Sequence, residues 1–305
     1  LLRESRADLA HRHFDVAGAT SITAGLMLLV YALTRATTDG WGSTITLSLL
    51  AGSAVLVLAF LAIERRSRSP LLPLRIFRLR TVSGANVAMA IVGAVTFSEF
   101  FVLTLYLQNV LHYSAVRTGT AFAGFALTVV VVSNLAQLIV TRFGIRPTLT
   151  AGLLLSAVSV AYLTRLPVDG HYFWDLFPAF VVGGAGLGLS FVPVTIASLT
   201  GVERADAGVA SGLINTSRQI GGAIGLAAVS AIAATSTSNY VGSHSVLATS
   251  GIALDHGFRT ALYALTGLLL VGVLVAATFV RPAPAPVALG KEFVEADVLA
   301  LEEAA

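Results

Sequence analysis

Apolar runs of about twenty residues, parted by short polar segments, recur along the whole chain, at roughly 16–34, 45–63, 82–107, 118–140, 147–164, 174–199, 208–233 and 258–280. About 20 consecutive apolar residues in an α-helix cross ~30 Å of hydrocarbon, and in lipid a helix satisfies its own backbone hydrogen bonds. The pattern predicts an all-α fold, a polytopic membrane bundle of eight transmembrane helices. Asp15 stands where a carboxylate can cap the first of them. Trp41, in the turn TTDGWGS, fits a belt residue at the membrane interface. The polar stretch 235–257 reads as the longest loop on its side of the membrane.

Charge orders the spans. Of the 19 lysine and arginine residues, fourteen fall on the side of the N-terminus: Arg3, Arg6 and Arg12, six within residues 64–80, and Arg142, Arg146, Arg204, Arg281 and Lys291. Arg35, Arg117, Arg165 and Arg259 fall on the other side, and Arg218 lies within a span. The positive-inside rule then places both chain ends in the cytoplasm. The expected organisation is a cytoplasmic segment 1–14, two helices in 15–63, a basic cytoplasmic loop 64–80, six helices in 81–280 and a cytoplasmic tail 281–305. The tail opens on RPAPAP, a stiff sequence, and turns acidic.

Composition narrows the chemistry further. Hydrophobic residues make up 56% and charged residues 11% of the 305 positions, against about 25% charged in soluble domains. The net charge of +3 sits in short loops between apolar runs, so no nucleic-acid partner is expected. With no cysteine, thiolate metal sites and thiol nucleophiles are excluded. No H-E-x-x-H, G-x-S-x-G or P-loop occurs, and the histidines show no metal spacing. An enzyme is not expected, nor a metal or other cofactor. The preference for arginine over lysine fits a GC-rich bacterium and hence a bacterial cytoplasmic (inner) membrane, and a chain opening on Leu1 is expected to be part of a longer protein.

Two charges lie inside spans. Arg218 is roughly 15 Å along its helix from Gly208, near mid-membrane. A central arginine costs at least about 2.5–3.5 kcal/mol on insertion scales, so it faces protein or water. Ser211, Asn215, Arg218, Gln219 and Gly222 share one helical face. Arg218 has Asn215, Gln219 and nearby carbonyls as partners, or forms a pair with Glu99, or is a structural clamp without a transport role. Glu99, in VTFSEFFVLTLYLQNV, is the carboxylate deepest within any span, roughly 25 Å from Val82. It is either a proton- or cation-binding site or a hydrated, inert group near the far interface. Thr96 and Tyr106 share its face, and with Gln108 they are polar cavity candidates.

Glycine is dense in FVVGGAGLGLSFVPVT, where Gly183, Gly184, Gly186 and Gly188 precede Pro193. Gly208/Gly212 and Gly221/Gly225 repeat the small-residue spacing. Small residues let membrane helices approach closely and proline permits a bend, so these positions serve tight packing or flexing during a conformational cycle.

Four stretches, ERRSRSPLLPLRIFR, LTLYLQNVLHYSAVRTG, GLGLSFVPVTIASLTGV and AGVASGLINTSRQIGGAIG, resemble the 14-helix drug:proton antiporters of the major facilitator superfamily, over about 280 residues of this chain. The resemblance implies that the first two helices are an inserted central pair and the last six a C-terminal six-helix domain. A preceding N-terminal six-helix half is then missing from this chain. It further implies proton-coupled efflux of hydrophobic, often cationic small molecules by alternating access, with the third and sixth spans beside the substrate. TRFGIRP echoes the family's cytoplasmic loop motif through Arg142, Gly144, Arg146 and Pro147. Thr141 stands where an aspartate is usual, which puts the carboxylate-to-arginine latch of that motif in doubt. The alternatives are an exporter of one metabolite, such as an antibiotic or siderophore, and a non-transporting membrane module that binds a partner.

Overall fold

A computed structural model describes residues 15–67, 70–244, 247 and 250–281; the expected segment 1–14 and the acidic tail lie outside the described residues. Eight helical segments among them are long and apolar enough to cross a membrane, as the hydrophobic pattern requires. The helices are α1 (Val16–Asp39), α2 (Thr44–Arg66), α3 (Arg80–Leu105), α4 (Ala115–Ala121), α5 (Ala123–Phe143), α6 (Ile145–Leu163), α7 (Phe177–Leu199), α8 (Ala207–His244) and α9 (Gly251–Phe279).

Local chemistry sets the ends of these elements. The Gly18 N–H donates to Asp15 Oδ1 at 2.7 Å, so Asp15 caps α1 as its position predicts. Ser114 caps α4 and Ser250 caps α9 in the same way. Gly144, at φ 88°, takes a left-handed conformation that turns α5 directly into α6. α1 and α2 form an antiparallel hairpin, joined in its interior by Ser53 Oγ donating to the Gly25 carbonyl at 2.8 Å. The hairpin rests on the six-span bundle through α1 and α8.

Two expectations need correction. Residues 235–257 are not a long loop: α8 continues to His244 and α9 begins at Gly251, which also places His256 within a helix. Low hydropathy ended the membrane span but not the helix, because Ala234–Tyr240 contains no proline or glycine and packs on α9. Ser236 Oγ lies 2.8 Å from Thr260 Oγ1, and the Tyr240 ring stacks on His256 at 4.7 Å. The fourth span is also not one continuous helix. It breaks at Phe122 into α4 and α5.

Around α3 the bundle is closest-packed. A Cβ at Gly93 would strike the Arg218 backbone, one at Gly221 the Ala90 backbone and one at Gly225 the Ala94 Cβ at 2.5 Å. α7 is wedged in turn between two neighbours: Gly183 and Gly186 meet Ser159 and Ser156 of α6, while Gly184 and Gly188 meet α5. Pro193 is buried within α7, which stays continuous. Gly208 and Gly212 have the same spacing as Gly221 and Gly225, yet nothing lies within 4 Å of a Cβ there. Gly221→Ala is therefore expected to destabilise by about 1–3 kcal/mol, as overpacking does. Gly212→Ala should be neutral or stabilise by up to about 1 kcal/mol. Melting temperatures of the two variants in detergent check this contrast.

Candidate functional site

Glu99 is 8% exposed, deep in the α3 surface that faces α5 and α7. It lines a small cavity with Thr96, Phe125, Ser156, Gly183 and Leu269, drawn from α3, α5, α6, α7 and α9. About 20 Å³ of that cavity admits the centre of a water-sized sphere, enough for about one water. No hydrogen bond or ion pair to Glu99 occurs among the described residues. Phe100, Phe122, Phe125 and Phe180 form a four-ring cluster at the α3–α5–α7 junction, with Phe100 and Phe122 stacked at 4.7 Å and Phe100 and Phe125 edge to face at 5.3 Å. Given the chain directions, this cluster lies toward the end opposite the arginine-rich loops, with Phe125 shared between it and the cavity.

Arg218 lies elsewhere. Its Nη2 donates to Asn215 Oδ1 at 3.0 Å, and its guanidinium stands 6.0 Å from the centre of the Phe97 ring. It makes no pair with Glu99 among the described residues. Ser211, Asn215 and Gln219 are exposed on α8 and Arg218 is half-buried, whereas Gly222 leaves that stripe to seat the Phe97 ring. Asn134 and Gln137 of α5 are also exposed at membrane depth. The sequence reading missed them because no charged residue within that apolar span marks their face, as Arg218 marks that of Asn215 and Gln219.

The remaining candidates are spread out. Thr96 joins Glu99 in the cavity. Tyr106 is 1% exposed, and its hydroxyl donates to the Pro167 carbonyl at 2.5 Å, fixing the segment after α6. Gln108 is half-buried in the π-helical turn Tyr106–Val110. Arg142, Gly144, Arg146 and Pro147 surround the tight α5–α6 turn, where Arg142 lies over the Phe143 ring at 5.4 Å. A partly buried pair went unpredicted: Ser217 Oγ donates to Asn86 Oδ1 at 2.8 Å, while Asn86 Nδ2 donates to the Val82 carbonyl. Small polar residues 131 positions apart in sequence carry no signal of their pairing.

At the arginine-rich end, Arg75 joins two loops. Its Nη2 lies 2.9 Å from Asp206 Oδ2 and 3.0 Å from Glu203 Oε2. The hydrogen bond and charge of Asp206, and then the charge of Glu203, raise the guanidinium above its ordinary range. A cation whose value is raised keeps its charge throughout the neutral range, so around neutral pH Arg75 does not release this clamp by losing its proton, while salt weakens it. Arg75→Gln is expected to speed amide hydrogen exchange in residues 70–78 and 200–207 while leaving α6 unchanged. High salt should reproduce the effect in the unsubstituted protein.

A bundle of eight helices long and apolar enough to span a bilayer defines a polytopic membrane protein. The family model of the Major Facilitator Superfamily matches residues 13–226. The chain belongs to that superfamily, and the resemblance read from its motifs holds. It is 32% identical over 280 residues to the puromycin resistance protein pur8 of Streptomyces alboniger, covering 90% of this chain and 55% of that protein. It is 36% identical over 226 residues to the cephamycin export protein CmcT of Amycolatopsis lactamdurans, covering 73% and 46%. The tetracenomycin C resistance and export protein of Streptomyces glaucescens matches at 32% over 235 residues, covering 77% and 43%. The chain thus spans about half the length of these relatives.

Proposed function

We propose that this chain forms the C-terminal part of a proton-coupled exporter of hydrophobic small molecules in a bacterial inner membrane. In this reading α1 and α2 are the inserted central pair and α3–α9 the C-terminal six-span domain. A further six-helix half completes the cavity, and both ends of the chain lie in the cytoplasm. The observation that carries the reading is Glu99, a buried carboxyl without a partner among the described residues, in a cavity of one-water size where five helices meet. A carboxyl so placed is open to a proton, while a structural carboxyl would be paired. Arg218, Asn215 and Gln219 of α8, with Asn134 and Gln137 of α5, line the aqueous side that faces the other half.

A second reading within transport concerns the cargo. The named roles of the relatives in puromycin resistance, cephamycin export and tetracenomycin C export favour a single antibiotic-like metabolite. Competition of lipophilic cations against neutral and anionic antibiotics for export separates the two: a broad cation profile supports the first, one neutral or anionic compound the second.

The test of the coupling uses the complete transporter in proteoliposomes with an imposed pH gradient. Glu99→Gln is expected to lower gradient-driven export at least about a hundredfold, the low end of the range typical of a lost proton-transfer group, while insertion and melting temperature stay unchanged. Export by Glu99→Gln that still follows the pH gradient as the parent does would remove Glu99 from the coupling.

A further inference from the structure

At the end of the bundle opposite the arginine-rich loops, a cleft of about 740 Å³ opens between the segment after α3 and the segment before α7. Its size falls within the range of small-molecule sites. Both walls depart from regular helix. One ends in the π-helical turn Tyr106–Val110 and continues through His112, a non-glycine residue at φ 56°. The other contains the π-helical turn Tyr172–Leu176. Such turns are rare and gather at functional sites. The Tyr172 hydroxyl donates to the Ala121 carbonyl at 2.8 Å and ties the two walls together across the base.

The cleft carries one held cation and one exposed carboxylate. Arg117 lies over the Tyr113 ring, 3.8 Å from its centre, so the stem is held while the guanidinium keeps its outward donors. Asp169 lines the same cleft, and neither group forms an ion pair among the described residues. The rim is aromatic: Phe173 is 70% and Trp174 79% exposed, the pattern of side chains at headgroup level. A purely anionic ligand would meet Asp169, and a purely cationic one would meet Arg117. A ligand with both charges on a short arm, and an apolar body to lie along Phe173 and Trp174, satisfies every group.

We infer that this cleft is a binding site for a zwitterionic phospholipid of the phosphoethanolamine class, its phosphate on Arg117 and its ammonium on Asp169. The guanidinium fork suits a phosphate. The carboxylate requires a head that donates hydrogen bonds, which a primary ammonium does and a trimethylammonium does not. The site is separate from the Glu99 cavity and independent of how export is coupled.

The test is lipid titration of the delipidated full chain in detergent, read by native mass spectrometry. Phosphatidylethanolamine, phosphatidylcholine and phosphatidylglycerol with identical acyl chains are compared, with free glycerophosphoethanolamine as a headgroup-only arm. Phosphatidylethanolamine should bind at least about tenfold more tightly than the other two lipids, the scale of one charge-assisted hydrogen bond. Asp169→Asn should abolish that preference and Arg117→Gln should weaken all three lipids, neither lowering the melting temperature, since both side chains are exposed. Equal binding of the three lipids, a preference that survives Asp169→Asn, or lipid binding untouched by Arg117→Gln, would overturn the assignment. So would free glycerophosphoethanolamine binding as tightly as the lipid, since the membrane-anchored body would then have no part in recognition.

Discussion

The approach of α8 to α3 fixes most of what this bundle can do. Between membrane helices there is little hydrophobic drive, so association rests on packing and interhelical hydrogen bonds. Here the packing is backbone on backbone. Asn86, Ala90, Gly93, Ala94 and Phe97 of α3 meet Ser217, Arg218, Gly221, Gly222 and Gly225 of α8, each set forming one stripe along its helix. A seam of this kind has one register, because a single added methyl group at Gly93 or Gly221 collides with main chain. With the register set, the direction of every other α3 side chain follows. Glu99 lies six residues beyond Gly93, which places it roughly 160° around α3 from the centre of the seam.

This geometry explains why the two charges within spans do not meet. Arg218 belongs to the seam, and its backbone touches Gly93, so its side chain leaves along the α8 surface toward Asn215 and the Phe97 ring. Glu99 leaves from the far side of α3 into the α5–α7 cavity. The body of α3 stands between them, and Glu99 is about 9 Å further along the helix than the level of Gly93. Each charge must then find its own compensation. Arg218 does so by staying half-exposed beside polar neighbours, and Glu99 by occupying a space with room for about one water. A paired guanidinium and carboxylate would have cancelled each other and left neither open to a proton or a solute.

How far the sequence reached depends on the kind of information each feature needs. The spans were legible because crossing a bilayer is a requirement on composition over twenty residues, and the Asp15 cap because it is local. Gly221 and Gly225 were legible as a small-residue face, but Gly208 and Gly212 present the same spacing to empty space. Spacing identifies a face and says nothing of what lies against it. Tyr106 shares the face of Glu99 by periodicity, yet its hydroxyl ends on the carbonyl of Pro167, sixty-one residues away. The α8 extension was missed for the opposite reason: a fall in hydropathy was read as a fall in helicity, though Ser and Thr tolerate a helix that a neighbour such as α9 supports.

The restraints at the two ends of the bundle differ in kind, and the difference has a direction. Opposite the arginine-rich loops, the closures are hydrogen bonds to backbone carbonyls from side chains held in the protein: Tyr106 to Pro167, Tyr172 to Ala121, and Arg259 to Leu166, with Arg259 also 3.0 Å from Asp255. Losing such a bond strands a polar group away from water, which is expensive. At the arginine-rich end the closure is Arg75 with Glu203 and Asp206, where Arg75 and Glu203 are both more than half exposed. Ion pairs of that kind are screened by salt and each partner can turn to water, so they contribute little net stability. The Arg75–Glu203 pair at the arginine-rich end is therefore more lightly held than the closures at the other end, and it joins the α2–α3 and α7–α8 loops. Motion of those loops that begins there breaks a solvated contact first, whereas motion begun at the opposite end must first break hydrogen bonds to backbone carbonyls.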